Sequence, residues 1–571
     1  MQNKNVQTQN VQAQGVTAAQ ADAPPTRKDW LALVMLGLAL SIVIIDATIV
    51  NVTLPSIRKE FGASLRDIEW ISALYALVYA ALIITFGRLG DEVGRKRIFM
   101  VGVITFVVGS LLVGIASNIP LILVGRVVQG VGGAMISPAT LSILSATFRG
   151  KSRGVAFGVW GAVAGASAAL GPLLGGFLTT SLNWRWAFLV NLPIGIIVVI
   201  GAIVYVTESK GRARTGGFDF IGVLLVTLGL STLVFGLIEG QGYGWWTPKE
   251  QFSVFGWNWP LDNLAVTPIM FLLAAIFLTA FVVYALAVKR RGGDPLFDFS
   301  LLKYRGFRFG LITVLIVALG EFGVLFVLSI YLQTVRGLSA FDTGLLLLPL
   351  AIATFFAAPT AGALSSRFGP KGVVSAGMLI EAVSIFLLGF VLSVDVSLMT
   401  LIPVLVLYGI GVGLAIAQLT NITLSDIPMQ YAGVASGANN TVRQVGAAIG
   451  VAVLGAIFSA QIASTGKSEL AASNAIPAPI KSAIETALDN GSATDTSQYS
   501  GDAANSPLGT AISGIVNDAI TAGTRDAAFA AGFFVLMGAL SSLLIPNPKK
   551  DREPEVETAS NAAEAETPAH A

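Results

Sequence analysis

Ionisable side chains within long apolar segments are the residues of this sequence best suited to chemistry. Asp46, Glu321 and Glu381 are acids in such segments, and Arg126 is a base that keeps its charge at any ordinary pH. A charge inside a bilayer is expensive unless it is paired or hydrated, and burial favours the neutral form of a carboxyl group. These residues therefore predict reversible protonation, with Arg126 close to an acid such as Asp46.

The remaining inventory excludes most enzymatic chemistry. The 571 residues include no cysteine and a single histidine, His570, one residue from the C-terminus. A thiol nucleophile, a Ser-His-Asp triad and a multi-histidine metal site are thereby excluded, and the sequence has no phosphate-binding Gly-x-x-x-x-Gly-Lys-Ser/Thr loop. We expect no enzyme, no metal and no cofactor, with energy supplied by a partner protein or an ion gradient.

Composition predicts a membrane protein. Hydrophobic residues make up 54% of the chain and charged residues only 12%, whereas soluble proteins carry about 25% charged residues. Such a chain could not build a soluble surface without exposing a large apolar area, which excludes a soluble enzyme, a nucleic-acid binder and a disordered scaffold. The net charge of +2 is too balanced to indicate an acidic partner.

Apolar runs of about 18–25 residues follow one another along the chain, each long enough to cross a bilayer as a helix. Basic residues concentrate in every second connection, so the positive-inside rule places both termini in the cytoplasm of a multi-pass plasma-membrane protein. Polar tails at 1–29 and 547–571 are expected to be disordered and cytoplasmic, and 463–525 is expected to form a long extracytoplasmic loop. The fourteen predicted spans are 30–52, 68–90, 98–117, 119–146, 153–180, 184–206, 218–239, 265–288, 307–332, 340–365, 371–393, 399–424, 432–462 and 526–546.

An internal repeat divides these spans. The loop Gly87–Arg97 has a counterpart in Gly362–Lys371, with two glycines seven residues apart and then basic residues, and Gln129–Ala134 has one in Ile410–Ala415. Two repeated six-helix halves with a site between them are typical of secondary transporters. The predicted organisation is an N-terminal six-helix bundle at 30–206, two inserted helices with their loops at 207–306, and a C-terminal six-helix bundle at 307–546.

Four motifs connect the sequence with a known family. They are the run Asp46–Pro55, the loop Gly87–Arg97, the segment Gly125–Gly130 and the glycine-rich stretch Gly158–Gly176. With them the sequence resembles the major facilitator superfamily, and within it the fourteen-helix drug:proton antiporter branch, over about 30–546. The resemblance implies an all-α membrane protein with the major facilitator fold, in which two six-helix bundles are joined by two additional central helices.

The resemblance also implies roles for single residues, beside what their chemistry predicts. Proton coupling is expected at Asp46, Glu321, Arg126 and Glu381. A cytoplasmic gate is expected at Gly87, Gly90, Asp91, Gly94 and Arg95. An antiporter glycine-proline motif comprises Gly161, Gly165, Gly171, Pro172, Gly175 and Gly176. The expected substrate cavity includes Asn51, Gln129, Trp160, Asn439, Asn440, Arg443 and Gln444.

Simpler interpretations of these residues stay open. Asp46 could bond only to neighbouring backbone or to Asn51, and Gly87–Arg97 could be a basic loop that does no more than set topology. Glu321 and Glu381 could each serve an internal hydrogen bond. Arg126 needs an acidic or carbonyl partner if it is buried, and the sequence does not establish which one.

The expected function is proton-coupled export of amphipathic, often cationic, drugs or toxic compounds by alternating access. One alternative is a narrow exporter of an endogenous metabolite, antibiotic or lipid, and a remote one is a non-transporting membrane sensor. The expected partners are small-molecule substrates, protons and the lipid bilayer, with no nucleic acid. The expected state is a monomer, and the need for a periplasmic adaptor stays open.

Overall fold

A computed structural model describes residues 24–63, 65–211, 219–254, 257–473, 476–489 and 507–546. The predicted C-terminal tail at 547–571 lies outside the described residues, as do residues 1–23 of the predicted N-terminal tail. The first helix begins at Arg27, where the sequence supplies a start signal. Thr26 and Asp29 form a reciprocal capping box in which each side chain bonds the other residue's backbone N–H.

The N-terminal half consists of six long helices and one short one. Polar residues set several boundaries: the side chain of Asn118 accepts from Leu121 N at the start of the fourth helix, and left-handed Gly62 ends the first. The helices are α1 Arg27–Phe61, α2 Leu65–Val93, α3 Arg95–Gly114, α4 Ile119–Thr147, α5 Gly150–Ser181, α6 Trp186–Leu189 and α7 Asn191–Tyr205.

The inserted region and the C-terminal half follow. The inserted pair consists of α8 Phe220–Tyr243 and α9 Val266–Arg290, with a small antiparallel hairpin of β1 Ser253–Val254 and β2 Trp257–Asn258 between them. The remaining helices are α10 Arg305–Thr334, α11 Ala340–Phe368, α12 Pro370–Val391, α13 Leu398–Thr423, α14 Ala432–Ala472, α15 Ala478–Asp489 and α16 Pro507–Ser542.

The predicted membrane architecture is confirmed. The described part of the chain contains 13 helices long and apolar enough to cross a membrane, or 14 when the bent α5 counts as one span. The two parts of α5, Ser152–Ala168 and Leu170–Ser181, meet at 41°. Pro172 explains the bend, because it has no N–H to donate to the carbonyl of Ala168 four residues earlier.

Two apolar cores correspond to the two halves. One unites buried residues of the N-terminal half with Phe281 and Phe297 from the inserted region, and the other lies within the C-terminal half. The halves meet where α2 packs on α14 and where α5 packs on α11 and α13. We call the end of the molecule at residues 91–95 the gate end, and the end that carries β1 and β2 the hairpin end.

The segment 463–525, expected to be a long extracytoplasmic loop with some amphipathic helix, is helical over most of the residues described there. Helix α14 continues to Ala472, α15 covers Ala478–Asp489, and α16 already begins at Pro507. Apolar side chains at helical spacing, including Leu470 and Ile520, are buried in the C-terminal core. The Ser, Asn and Asp content of this segment suggested a loop, whereas Ser464, Ser468 and Asp518, for example, lie on exposed faces of the described helices.

A cluster of side chains closes the hairpin end of the N-terminal half. Trp184 donates its indole N–H to Glu60 at 2.7 Å, and Arg185 bonds both carboxylate oxygens of Glu60 at 2.7 and 3.0 Å. Arg185 also donates to the carbonyl of Ala116 at 3.1 Å. These contacts join the end of α1 to two other helix connections. The hydrogen bonds from Arg185 and then Trp184 hold the pKa of the Glu60 carboxyl below its ordinary value of 4.5.

Candidate functional site

The N-terminal half buries an ion pair between Asp46 on α1 and Arg126 on α4. Both side chains have no exposed surface, and a guanidinium nitrogen of Arg126 bonds carboxylate Oδ2 of Asp46 directly. Oxygen Oδ1 accepts from Gln129 at 2.7 Å and from Asn191 at 3.2 Å. Three donors therefore satisfy an ionised Asp46, which makes the charge tolerable in an apolar surrounding.

The other donors of Arg126 hold it in place. Its Nε donates to the carbonyl of Ile71 at 2.8 Å and its Nη1 to the side-chain oxygen of Gln129 at 3.0 Å. The guanidinium also lies over the ring of Tyr75, 4.3 Å from the centroid. Arg126 thus ties α1, α2 and α4 together, and it can change partner only if several bonds change at once.

Sequence reasoning did not identify three members of this network. Asn191 and Ser110 bond each other at 3.1 Å, and Ser110 accepts from Gln129 at 2.9 Å, while Tyr75 donates to the carbonyl of Val43 at 3.1 Å. The available signal was weak: Asn191 is an amide at the start of an apolar run. A lone uncharged polar residue in a membrane helix commonly satisfies itself on nearby backbone.

The C-terminal half contains a second group of ionisable residues. Glu321 on α10 and Arg443 on α14 face each other with 3.9 Å between carboxylate oxygen and guanidinium nitrogen, which is longer than a hydrogen bond. Glu381 on α12 has no exposed surface. Tyr408 on α13 is also buried, and Glu381 and Glu321 both act on it electrostatically.

The predicted gate residues meet at the interface between the halves. Asp91, at the end of α2, accepts backbone N–H groups from Gly433 and Val434 at 3.0 Å each. It thereby caps the N-terminus of α14, where the helix dipole favours an anion. Arg95 bonds Asp91 at 2.8 Å and the carbonyl of Met429 at 2.6 Å, so one buried pair holds both halves.

Glycine permits this close approach. A Cβ on Gly87 would lie 2.5 Å from the carbonyl oxygen of Gly433. Gly94 has φ +133°, a conformation that disfavours other residues, and a Cβ there would lie 2.7 Å from a carboxylate oxygen of Glu208. A Cβ on Gly90 would meet only Ile98, at 4.0 Å. The tight positions are therefore Gly87 and Gly94.

The segment after α7 completes the gate. Glu208 accepts from the backbone N–H of Lys96 at 3.0 Å, and Gly211 donates to the carbonyl of Asp91 at 2.9 Å. The loop after α9 is attached as well, because Asp294 bonds Arg88 at 2.5 Å. Both ends of the inserted region are thus fastened to the gate.

The glycine-proline motif gives α5 two contact faces. Gly161 lies against Ala417 of α13, Gly165 against Thr354 of α11 and Gly176 against Phe341 of α11. Gly171 and Gly175 instead lie against Thr48 and Ile49 of α1, beside Asp46. Helix α5 therefore contacts the C-terminal half and the Asp46 segment at the same time, and Pro172 bends it between these contacts.

Two residues predicted to line the cavity belong elsewhere. Gln129 has no exposed surface and serves the Asp46 network. Trp160 is only 3% exposed, packs in the N-terminal core and donates weakly to Thr140 at 3.3 Å. Both lie on helices that face the interior, but their side chains point into the N-terminal bundle, which periodicity alone could not show.

The other predicted cavity residues lie mostly on α14. Asn439 and Asn440 are buried, Gln444 is half-buried, and Arg443 retains 20% of its side-chain exposure. The side chain of Asn51 lies outside the described residues. Among the described residues, no group of three or more His, Cys, Asp or Glu could hold a metal ion.

Comparison with known proteins identifies the family. The profile of the Major Facilitator Superfamily matches residues 36–451. The chain is 35% identical to the probable actinorhodin transporter of Streptomyces coelicolor, over 78% of this chain and 75% of the relative. It is 33% identical to the multidrug resistance protein Stp of Mycobacterium tuberculosis, over 80% of each.

A solved structure has the same fold. The human organic anion transporter MFSD10 superposes with a TM-score of 0.54 at 13% sequence identity, covering 91% of this chain and 100% of that one. The profile match and the shared fold agree with the two helical bundles of the structure and with the repeat of their glycine-framed loops. This chain is a multi-pass membrane transporter of the Major Facilitator Superfamily, and not an enzyme.

Proposed function

We propose that this transporter exports drugs or related amphipathic antibiotics in exchange for protons. Its relatives include a multidrug resistance protein and a probable actinorhodin transporter, which supports cargo of this class. The observation that carries the proton coupling is the fully buried Asp46, whose only ionic partner among the described residues is Arg126. A charged pair in the depth of a lipid-embedded bundle is energetically costly, and such residues typically mark ion or substrate pathways.

Protonation of Asp46 removes the negative charge that holds Arg126. The guanidinium then keeps Ile71 and Gln129 as acceptors and loses its strongest bond. Gly171 and Gly175 allow α5 to pack closely on α1 beside Asp46. A change in the position of Asp46 can therefore move α5, which is the helix that packs on the C-terminal half. This contiguous contact couples the proton to the relative position of the halves.

The gate defines which state the structure represents. With Asp91 and Arg95 bonded across the halves, the gate end is closed. We place this end in the cytoplasm of the plasma membrane, with both termini there, on the basis of the basic residues in its loops. A closed gate end corresponds to the state in which protons enter from outside, and its opening admits the next cargo molecule.

Purified protein in proteoliposomes tests the proposal, with ethidium and a panel of antibiotics as cargo. We expect an imposed pH gradient to accelerate efflux in the unaltered protein and to have no such effect in D46N. The matched control is D342N, the same change at an exposed aspartate in the first turn of α11, whose backbone N–H is capped by Ser339. Efflux that ignores the pH gradient, or a D46N protein that still responds to it, would contradict proton coupling at Asp46.

A narrow exporter of one endogenous compound is the second candidate. It is favoured by the 35% identity to a protein named for a single antibiotic, actinorhodin. The two functions share fold and coupling and differ in breadth of cargo. Transport of several chemically unrelated dyes and antibiotics supports the multidrug function, whereas transport of one compound class alone supports the narrow one.

A further inference from the structure

The C-terminal half places two acids beside a single base. Glu321, Glu381 and Arg443 come from three different helices, α10, α12 and α14, and the charges of Glu321 and Arg443 both act on Glu381. Arg443 is closest to Glu321, at 3.9 Å. This group contrasts with the N-terminal half, where one acid and one base pair directly.

Glu381 is the unusual member of the group. Its side chain has no exposed surface, and neither carboxylate oxygen has a hydrogen-bond partner among the described residues. Its backbone is pressed against α13, where a Cβ on Gly411 would lie 2.5 Å from Glu381 N. The residue therefore lies at the close contact between α12 and α13.

The helices packed around Glu381 supply no second cation. Helix α13 presents Tyr408, whose hydroxyl also has no partner among the described residues. From Ala527 to Ser542, helix α16 carries no ionisable residue, and the ionisable residues of α11 are Asp342 and Arg367 near its ends. Glu321 and Arg443 are thus the charges that decide the state of Glu381.

Charge balance then requires a proton. With both acids ionised, the group would carry one uncompensated negative charge in an apolar surrounding, which is far more costly than neutralising one carboxyl group. One proton leaves a single carboxylate and one guanidinium, and the group is neutral. Two like charges that share a buried site are known to hold one proton between them.

We infer that Glu381 and Glu321 form a second proton-binding site, which holds one proton in the closed-gate state while Asp46 holds none. The inference rests on the proposed function, since it adds a second coupled proton to the exchange at Asp46. The Asp46 pair is neutral without a proton, because Arg126 bonds it directly. In the same conformation, the C-terminal half therefore holds one proton and the N-terminal half holds none. A full transport cycle moves two protons.

Exposure gives the order in which the proton moves. The side chain of Arg443 is 20% exposed and that of Glu321 10% exposed, whereas Glu381 is sealed. A proton reaches Glu321 first, and approach of Arg443 to Glu321 favours its ionised form and passes the proton to Glu381. Movement of Arg443 away from Glu321 reverses this transfer.

Infrared spectroscopy of the full-length protein in lipid vesicles, without cargo, tests the site directly. At neutral pH we expect a protonated-carboxyl band that shifts in D2O and is reduced by one carboxyl group in E381Q. D46N is the comparison, and we expect it to leave this band unchanged because Asp46 is ionised. A band that persists at full strength in E381Q, or one that is lost in D46N, would overturn the inference.

Two further variants test the charge balance and keep the inference testable should E381Q fail to fold. R443Q removes the base, so both acids should become protonated and the contribution of this site to the band should double. E321Q removes one acid, so Arg443 alone balances an ionised Glu381 and the contribution of this site should disappear. A merely structural role for these residues predicts no such opposite changes, and unchanged bands in both variants would refute the proton site.

The proton-to-cargo ratio separates this inference from the proposed function. From the reversal potential of ethidium transport in proteoliposomes, we expect two protons per cargo in the unaltered protein and one in E381Q. A ratio of one in both proteins overturns the second site but leaves coupling at Asp46 intact. Gradient-independent transport together with the infrared changes would leave the site intact and refute the coupling.

Discussion

Arg126 shows how much depends on the shape of one side chain. Its guanidinium reaches Asp46, Ile71 and Gln129 at once and stacks on Tyr75. A lysine carries the same charge on a single nitrogen, so it cannot keep this planar set of bonds. An Arg-to-Lys exchange at position 126 therefore keeps the charge but loses the hydrogen-bond network.

We predict that Arg126→Lys abolishes most proton-driven efflux. The exchange removes two hydrogen bonds from a buried network, one of them to a charged acceptor, which costs about 2–4 kcal/mol. If this cost falls on the coupling step, the rate of efflux drops by roughly 30–1,000-fold. The measurement is initial ethidium efflux under a fixed pH gradient. Arg185→Lys, at a partly exposed pair, is the matched control and should stay within about twofold. Equal effects of the two exchanges would contradict a special role for the Arg126 geometry.

Charge explains which site residues could be predicted from the sequence. Four residues could be identified because an ionisable side chain in an apolar membrane helix is energetically costly and typically has a function. They are Asp46, Arg126, Glu321 and Glu381. Ser110, Asn191 and Tyr75 were not, because uncharged polar groups occur in many membrane helices without function. The side-chain directions of Gln129 and Trp160 were also unpredictable, since both the interior of a half and the space between halves are buried.

Among the helices, the connections at the hairpin end determine where Asn191 lies. Glu60, Trp184 and Arg185 fasten the end of α1 to the segment that leads through α6 into α7, whose first residue is Asn191. The sequence gives no sign of this arrangement, because its members are 124 and 125 residues apart. Contacts at that separation depend on the packing of the whole bundle.

We predict that Glu60→Gln lowers stability at neutral pH and removes part of its dependence on acid. The hydrogen bonds hold the pKa of Glu60 below 4.5, so ionised Glu60 stabilises the folded state above its unfolded pKa. That contribution is lost as pH falls through the lower, folded pKa. For a partly exposed pair it is roughly 0.2–1 kcal/mol.

Thermal unfolding in detergent at pH 7 and at pH 3.5 measures this difference. The unaltered protein and E60Q should differ in Tm at pH 7, and the difference should be smaller at pH 3.5, below the ordinary pKa of 4.5 at which the unfolded carboxyl titrates. Glu485→Gln, the same change at an exposed glutamate of α15, is the matched control. A gap between the two proteins that is the same at both pH values would contradict the role of the carboxylate.

The whole molecule is organised by two halves that share a plan but differ in charge. The number of spans could be predicted from hydropathy, and the meeting of Asp91 and Arg95 with the other half from the glycine frames and basic turns of the sequence. The course of α14 to Ala472 and the early start of α16 at Pro507 could not, because alanine-rich amphipathic helices resemble loops in composition. Hydropathy predicts which segments lie in the bilayer. It does not predict whether a segment outside the bilayer is a helix or a loop.

At the closed gate end the carboxylate of Asp91 accepts two backbone N–H groups of the other half. We predict that Asp91→Asn opens this end, because Arg95 is then left buried without its ionic partner. Breaking a buried pair costs about 3–5 kcal/mol, and this cost falls mainly on the closed state. The population of that state should therefore drop by roughly a hundredfold or more relative to the open one.

Spin labels measure this population directly, and the absence of native cysteine leaves a clean background. Labels on cysteines introduced at exposed Arg97 and Ser366, one in each half, report the separation of the halves at the gate end by double electron–electron resonance. We expect a single short distance in the unaltered protein and a longer one in D91N, with D342N matching the unaltered protein. A D91N protein that keeps the short distance would mean that other contacts between the halves, such as Gly87 against Gly433 or the bonds of Arg153 to Asn421 and Leu424, hold them together without the Asp91 charge.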